Sequence, residues 1–341
     1  MGDKLEIGAI ITVAGNAQAE SGARVPYLSQ PLGGRPLACH EILGANLLNR
    51  TLESLRLSGI QSPSVLFEDS GCDSLFPSRQ PAAGKFFSEW ESAVADNLDQ
   101  GVRSLVLIRL GSYLEIDFTQ LITFHRESES VLTQVFGQKS AYDVAAVDAN
   151  HLRGEKGSYR GRLSALIPYH RRFPFSGYSN RLREPQDFRR LAHDGLTGRN
   201  AIVPVGKEVS PGIWLGEGAR IDPTARISAP AYIGRNSVIK GSCHIHGAST
   251  IERDCEVDFG TSVTDSSVLP GTYLGIGLNI VHSIVDSNKL FHLNRNVEVE
   301  ISDRNMLGSK RSRSVLTKLM GERSFFNRRN SDLNQVDAHL Y

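Results

Sequence analysis

Few side chains in this 341-residue sequence are placed to do chemistry. His244, His246 and His282 fall in a stretch where aliphatic residues recur regularly, and an imidazole there could deprotonate an amine or hydroxyl for acyl transfer. His244 and His246 flank Ile245, so if Ile245 points inward both point outward, and a solvent-facing role competes with a catalytic one. His125 and His170 lie outside that stretch with no evident partner, which suits surface or packing roles. A second candidate is the loop that begins at Ala14-Gly15-Asn16, because backbone N–H groups at such a turn cradle phosphate when the loop is short and glycine-rich. Asn16 to Ser21 is instead a polar insert, which leaves a remodelled nucleotide loop and an ordinary surface loop both open. Cys39, Cys72, Cys243 and Cys255 form neither a C-x-x-C pair nor a zinc spacing, so reduced thiols and no metal knuckle are expected.

The histidines of the first group sit in a repeat. Leu215, Ile221, Ile227, Ile233, Ile239, Ile245, Ile251, Val257, Val263 and Leu269 follow one another at intervals of six. Four positions after each comes a small residue: Ala219, Ala225, Ala231, Ser237, Cys243, Ser249, Cys255, Thr261 and Ser267, until Tyr273 breaks the series. Six is not a helical period and exceeds plain strand alternation, so each hexad reads as a short strand plus a corner, aliphatic inward and small residue in the turn. Three hexads would close one triangular coil. Cys243 and Cys255 then become buried packing residues and poor nucleophiles. The register weakens at Gly275, returns near Val281, and ends near Leu290, with Val297, Val299 and Ile301 as a capping strand.

The N-terminal half reads differently. Leu5 to Val13 and Ser104 to Leu110 are apolar runs of buried-strand character, and between them Ile42 to Leu57 carries apolar residues at helical spacing, with Gly59 as a C-cap. Strand, helix and strand in that order predict a parallel sheet with helices on its faces.

Four stretches make this half resemble the sugar-1-phosphate nucleotidyltransferases, the pyrophosphorylases that make nucleotide-sugars. Ala14-Gly15 and Gly22-Ala23-Arg24-Val25 lie on that family's glycine loop with an insertion, and Arg35-Pro36-Leu37 is the nearest match to its lysine step. Leu47 to Leu55, ending at Gly59-Ile60, is similar to its first helix. Leu105 to Asp117 followed by Phe124-His125-Arg126 resembles L-V-L-x-G-D-V-L…D…F-H-R, with Ser112 where the first metal-binding aspartate is expected. Gly177 to Phe188 resembles G-Y-W-x-D-I-G-T-P-E-D-Y, with Arg181 in place of the second. The hexads resemble the left-handed β-helix of hexapeptide-repeat acyltransferases and of several such pyrophosphorylases.

The resemblance implies an α/β nucleotide-diphospho-sugar transferase-like domain with a Rossmann-like parallel sheet over residues 1–205, a left-handed parallel β-helix over 206–290, and a capping segment with a basic tail over 291–341. It also implies a degenerate site. Nucleotidyl transfer relies on a divalent ion held by carboxylates, and a serine with an arginine supplies neither hard anionic ligand. The expectation is a regulatory or scaffolding protein that binds a nucleotide-sugar or sugar-phosphate through Gly15, Gly22, Arg24, Arg35 and Arg181, with no metal and no cofactor, as a homo-oligomer or beside an active homologue. Two alternatives stand beside it: an active enzyme using Mg²⁺ on relocated ligands among Glu115, Asp117 and Asp187, and the acyltransferase.

Net charge is +1, but Arg304 to Arg329 holds eight Lys/Arg against one Glu, so the basic charge gathers in a tail that is either flexible or docks a partner or an anionic surface. No apolar run reaches the roughly 18–20 residues of a membrane span, and a cytoplasmic location is expected.

Overall fold

The computed structural model describes residues 7–13, 37–68, 86–138, 140–154 and 157–310. Gly15, Gly22, Arg24, Arg35 and the tail beyond Lys310 lie outside the described residues. The N-terminal elements, in order, are β1 (Ile7–Val13), α1 (Leu47–Leu57), β2 (Ser64–Phe67), α2 (Phe86–Asp99), β3 (Ser104–Leu110), β4 (Tyr113–Leu114), α3 (Phe118–Glu127), β5 (Leu132–Phe136), β6 (Ala141–Asp148), α4 (Tyr159–Leu166), β7 (Arg171–Pro174), β8 (Ser179–Asn180) and α5 (Pro185–Leu196). Six strands form one sheet in the order β2-β1-β3-β6-β5-β7. β1 pairs parallel with β2 and β3, and β5 parallel with β7, while β6 runs antiparallel between β3 and β5. The apolar runs of β1 and β3 are buried because helices cover both faces, as an α/β sheet requires.

The helix expected from Ile42 starts five residues later. Glu41–Ile42 and Ala45–Asn46 pair as a small hairpin whose central residues, Leu43 and Gly44, both have positive φ (55° and 87°), the condition for a tight primed turn. Asn46 then caps α1, its Oδ1 accepting from Asn49 N at 2.8 Å. Asn46→Ala should lower stability by about 1 kcal/mol, read from the urea midpoint.

From Ile213 onward the chain is a series of short, mostly parallel strands in three ladders, an arrangement compatible with a β-helix. Ile213–Leu215 pairs with Ala231–Ile233, Arg220–Ile221 with Val238–Ile239, and Arg226–Ile227 with His244–His246, each 18 positions on. Ile233, Ile239, Ile245, Ile251, Val257 and Val263 are completely or almost completely buried in one cluster, as the period of six predicts. Leu215, Ile221 and Ile227, on the terminal coil, are only half-buried.

The small-residue column does more than fit. Ser237 Oγ donates to Glu252 O (2.7 Å), Cys243 Sγ to Asp258 O (3.0 Å), Ser249 Oγ to Val263 O (3.2 Å), Cys255 Sγ to Leu269 O (3.1 Å) and Thr261 Oγ1 to Gly275 O (2.5 Å). These side chains fill the corner and supply the donors that its carbonyls need. Burial raises the thiols of both cysteines, Cys255 to about 12, so neither is a thiolate nucleophile at neutral pH. The expectation of reduced thiols is corrected at Cys39, which is disulfide-bonded, whereas Cys243 and Cys255 are free.

The register also needs one correction. Ile251 pairs with Val268, Val257 with Leu274 and Val263 with Ile280, each 17 positions on. One residue is missing at the corner of Asp265, and again at His282, where Ile280 and Val285 are five apart. Val268 therefore takes the inward position expected for Leu269, and Leu269 packs in the core shared with the α/β region. The last coil is followed by Lys289–His292 and Val297–Glu300, both antiparallel, and by Leu307–Ser309 against Thr272–Leu274.

A shared apolar core and several polar contacts hold the regions together. Glu252, fully buried, accepts from Leu43 N (2.8 Å) and Gly44 N (2.9 Å), so the hairpin turn caps a coil corner through one carboxylate. Beside it Arg253 pairs with Glu41 at 2.7 Å. Further along, Arg189 of α5 donates to Ala248 O (2.8 Å) and Asp265 Oδ1 (2.7 Å) of the coil.

Candidate functional site

Ligands of open α/β sheets collect at the carboxyl ends of the strands, where loops diverge. Here β3 runs out into Gly111-Ser112, β5 into Gly137 and β7 into Phe175-Ser176-Gly177. β4 and β8 form an antiparallel ribbon at this end with Leu114 opposite Ser179 and Tyr113 opposite Asn180. Ser112 immediately precedes β4 and Arg181 immediately follows β8. Two positions 69 residues apart in sequence, each standing where an aspartate was expected, thus flank the same end of one ribbon.

Their side chains belong to different cavities. Arg181 lines one of ≈440 Å³ with Ser140, Tyr142, Ser176, Ser179 and Arg183. Its Nη2 bonds Ser140 Oγ (2.5 Å), and its guanidinium lies 4.7 Å from the centre of the Tyr142 ring. Tyr142 is itself fixed by a 2.6 Å bond to Ser179 Oγ. The result is a pocket of hydroxyls around two arginines, one of them stacked and oriented, which suits a phosphate or a sugar better than a cation.

Ser112 lines the other cavity, of ≈620 Å³, with Arg50, Tyr113, Glu115, Asp117 and Phe118. Its acidic residues already have partners. Asp117 caps α3, accepting from Thr119 N (2.8 Å) and Gln120 N (3.3 Å); Glu115 accepts from Ala201 N and, at 3.3 Å, from the Tyr113 hydroxyl. Asp187 lies in the first turn of α5, where it accepts from Arg183 N (3.0 Å) and pairs with Arg190. Burial and the neighbouring Glu115 push the Tyr113 hydroxyl well above its ordinary pKa, so it stays a neutral donor. Among the described residues no group of three or more His, Cys, Asp or Glu is placed to hold a metal ion. Ser112 and Arg181 would offer a divalent cation one neutral oxygen and one positive charge, which does not fit it.

Of the histidines, His244 is exposed, and His246 Nε2 lies 2.9 Å from Thr264 Oγ1. His282 Nδ1 meets Asp265 Oδ2 at 2.5 Å, a contact that follows from the two shortened corners stacking 17 positions apart. His125 is buried, bonded to Thr133 Oγ1 at 2.8 Å, with its pKa lowered chiefly by burial: a packing residue. His170 stacks its ring on Phe136, and its Nδ1 lies 2.8 Å from Ile167 O. Sequence reasoning does not single out Glu252 or Arg189, although an acid in a corner column that holds Gly216 and Gly234 in earlier coils is a detectable break.

Among the described residues no helix is long and apolar enough to cross a membrane. No family model matches the chain. Over 82 residues, 23% of the chain, the sequence is 37% identical to the bifunctional protein GlmU of Limosilactobacillus reuteri, and the match spans 18% of that relative's length.

Proposed function

We propose that the chain is a divergent homologue of the sugar-1-phosphate nucleotidyltransferases that has lost the transfer chemistry and binds a nucleotide-sugar or sugar-phosphate without a metal, as a regulatory or scaffolding protein of nucleotide-sugar or polysaccharide metabolism. The observation that carries this reading is Arg181, which stands at the same end of the β4–β8 ribbon as Ser112 and turns its guanidinium into a hydroxyl-lined pocket at the carboxyl end of the sheet. A fixed positive charge there does for a phosphate what a bound cation would do, without a cation. The stretch shared with the bifunctional protein GlmU supports the same family. On this reading the coil is a left-handed β-helix, the boundaries fall near 205 and 290, and the chain works as a homo-oligomer or beside an active homologue.

A thermal-shift series against nucleoside triphosphates and nucleotide-sugars, each with Mg²⁺ and again with EDTA, tests the proposal. A ligand at a hundred times its Kd stabilises by about 2.7 kcal/mol, which moves the midpoint by a few degrees. The expected shift is equal in both conditions and absent in Arg181→Ala. A shift that requires Mg²⁺, with release of pyrophosphate, would establish the active enzyme instead. The His282–Asp265 contact favours a second reading, acyl transfer, and binding of coenzyme A in a manner lost in His282→Ala would support it.

A further inference from the structure

From Tyr159 to Pro174, through α4, the turn after it and the edge strand β7, the chain has four arginines and no Asp or Glu. We propose that this surface docks the protein on an anionic phospholipid bilayer, with Ile167 and Tyr169 seated among the headgroups and Arg160, Arg171 and Arg172 on the lipid phosphates. The proposal does not rest on the function proposed above.

The helix is held from below and left bare above. Ser158 Oγ caps it, accepting from Gly161 N at 3.1 Å, and Glu91 of α2 accepts from Tyr159 N (2.7 Å) and Arg160 N (3.0 Å). Tyr159, Leu163 and Leu166, spaced four and three apart, share one side of the helix and pack half-buried against the apolar cluster of α2 and the sheet. The other side is small: Gly161, Ser164, Ala165 and Pro168 are all exposed, so α4 can lie close to a flat surface. It runs into a single 3-10 turn, Ile167–Tyr169, with no buried residue. There Ile167 is 55% and Tyr169 73% exposed, and Phe87, beside the start of α4, is 55% exposed.

The charges around this apolar tip are available. Arg160, Arg171 and Arg172 are exposed, and none has a carboxylate partner among the described residues. Arg160 rests on the Phe87 ring and Arg172 on the Phe136 ring, each guanidinium 4.4 Å from the ring centre, and a stacked guanidinium keeps its in-plane N–H groups for an acceptor. Arg162 differs: it stacks on Tyr159 and donates to Gly154 O, which makes it a packing residue. Glu91, the carboxylate that touches this helix, is occupied by two N–H groups.

A singly exposed apolar side chain is ordinary, but three in one patch among arginines suit a surface that is apolar beneath and anionic above. Tyrosine settles at headgroup level, and each arginine near an anionic leaflet adds attraction. Arginines and Pro174 on an edge strand also keep a second sheet away, yet edge protection gives no reason for Ile167 and Tyr169. Nucleic acid would match the arginines and leave Ile167 and Pro168 without a reason. No crossing helix is needed, since the contact lies on the bilayer.

Co-sedimentation of the full chain with vesicles of phosphatidylcholine and phosphatidylglycerol, and with vesicles of phosphatidylcholine alone, tests this. Arg160→Ala/Arg171→Ala removes charge and Ile167→Ser/Tyr169→Ser removes apolar surface; all four side chains are exposed, so both variants should keep the melting midpoint of the unaltered chain. If either melts early, the single variants Arg171→Ala and Tyr169→Ser take its place. The expected result is binding to the anionic vesicles only, weakened at least tenfold in each double variant and by a rise in salt from about 0.1 M to about 0.5 M. Absence of binding, equal binding to both vesicle types, or binding that both variants retain, which would assign it to the basic tail, would overturn the proposal. Weakening in the arginine variant alone would mark a contact by charge only, that of an acidic protein or a nucleic acid, and would equally overturn it.

Discussion

Replacing Glu252 with alanine should lower the unfolding free energy by about 3 kcal/mol, because Leu43 N–H and Gly44 N–H would both be left buried without an acceptor. The carboxylate is also the group through which pH should act. Burial, reinforced by the nearby Glu41, raises Glu252 from its ordinary 4.5 to about 7, against the pull of the two N–H donors and of Arg50. A carboxyl whose folded pKa lies above its unfolded one holds its proton more tightly when folded. Its contribution is therefore full below about pH 4.5 and is lost as pH rises through about 7, an effect on the order of 3 kcal/mol across that window. Urea unfolding at a series of pH values from about 5 to about 8 should show falling stability, and Glu252→Gln should flatten that slope at the cost of one N–H partner. Stability that instead rises over this range would mean that the two N–H bonds outweigh desolvation and that Glu252 is ionised.

Gly234→Ala should be at least as damaging. A Cβ there would sit 2.6 Å from both Arg253 N and the Glu252 carbonyl carbon, and these are backbone atoms of the next coil, which no rotamer change can move aside. Gly216 meets Arg235 N at 2.4 Å in the same column. Forcing the coils apart should cost about 3 kcal/mol and displace Glu252 from the hairpin. Gly260→Ala is the comparison. It sits at a positive φ of 71° with nothing within 4 Å, so only backbone strain of about 1 kcal/mol applies. If Gly260→Ala proved the worse of the two by thermal melt, close approach of the coils would not be what governs this column. Since Gly234 and Glu252 share one contact, Gly234→Ala combined with Glu252→Gln should cost less than the sum of the two.

The period of six is legible because every inward position faces the same environment, so each coil repeats the same demand. The lost residue at Asp265 is not, and the reason is local. Ser266-Ser267 and Val268-Leu269 are doublets in which either member satisfies the pattern, so the sequence reads equally well in the old register and in the shifted one. Only pairing with Ile251 decides between them. The start of α1 is misread for a similar reason, since Ile42 and Leu43 are apolar but serve a turn. Ser112 and Arg181 can be marked as replacements from their neighbours in sequence, and the ribbon that brings them to one end of the sheet needs the fold. Glu252 is marked in the sequence only as a break in the column of Gly216 and Gly234, and Arg189 not at all, because periodicity separates inside from outside and is silent on which residue meets the other region.

The way the coil ends has a consequence for solubility. A stack of parallel strands is a template, and an uncovered last coil would invite another chain to continue it, as in a growing fibre. Here Lys207–Ser210 folds back antiparallel under the first coil, and the hairpin of Lys289–His292 and Val297–Glu300 folds back over the last. The outermost strand carries Glu298 and Glu300, so a second copy approaching edge to edge would bring like charges together. The ladder with the longest run of strands is thus closed at both ends, and the edges left in the other two ladders are strands of only two or three residues, too short to template a second chain.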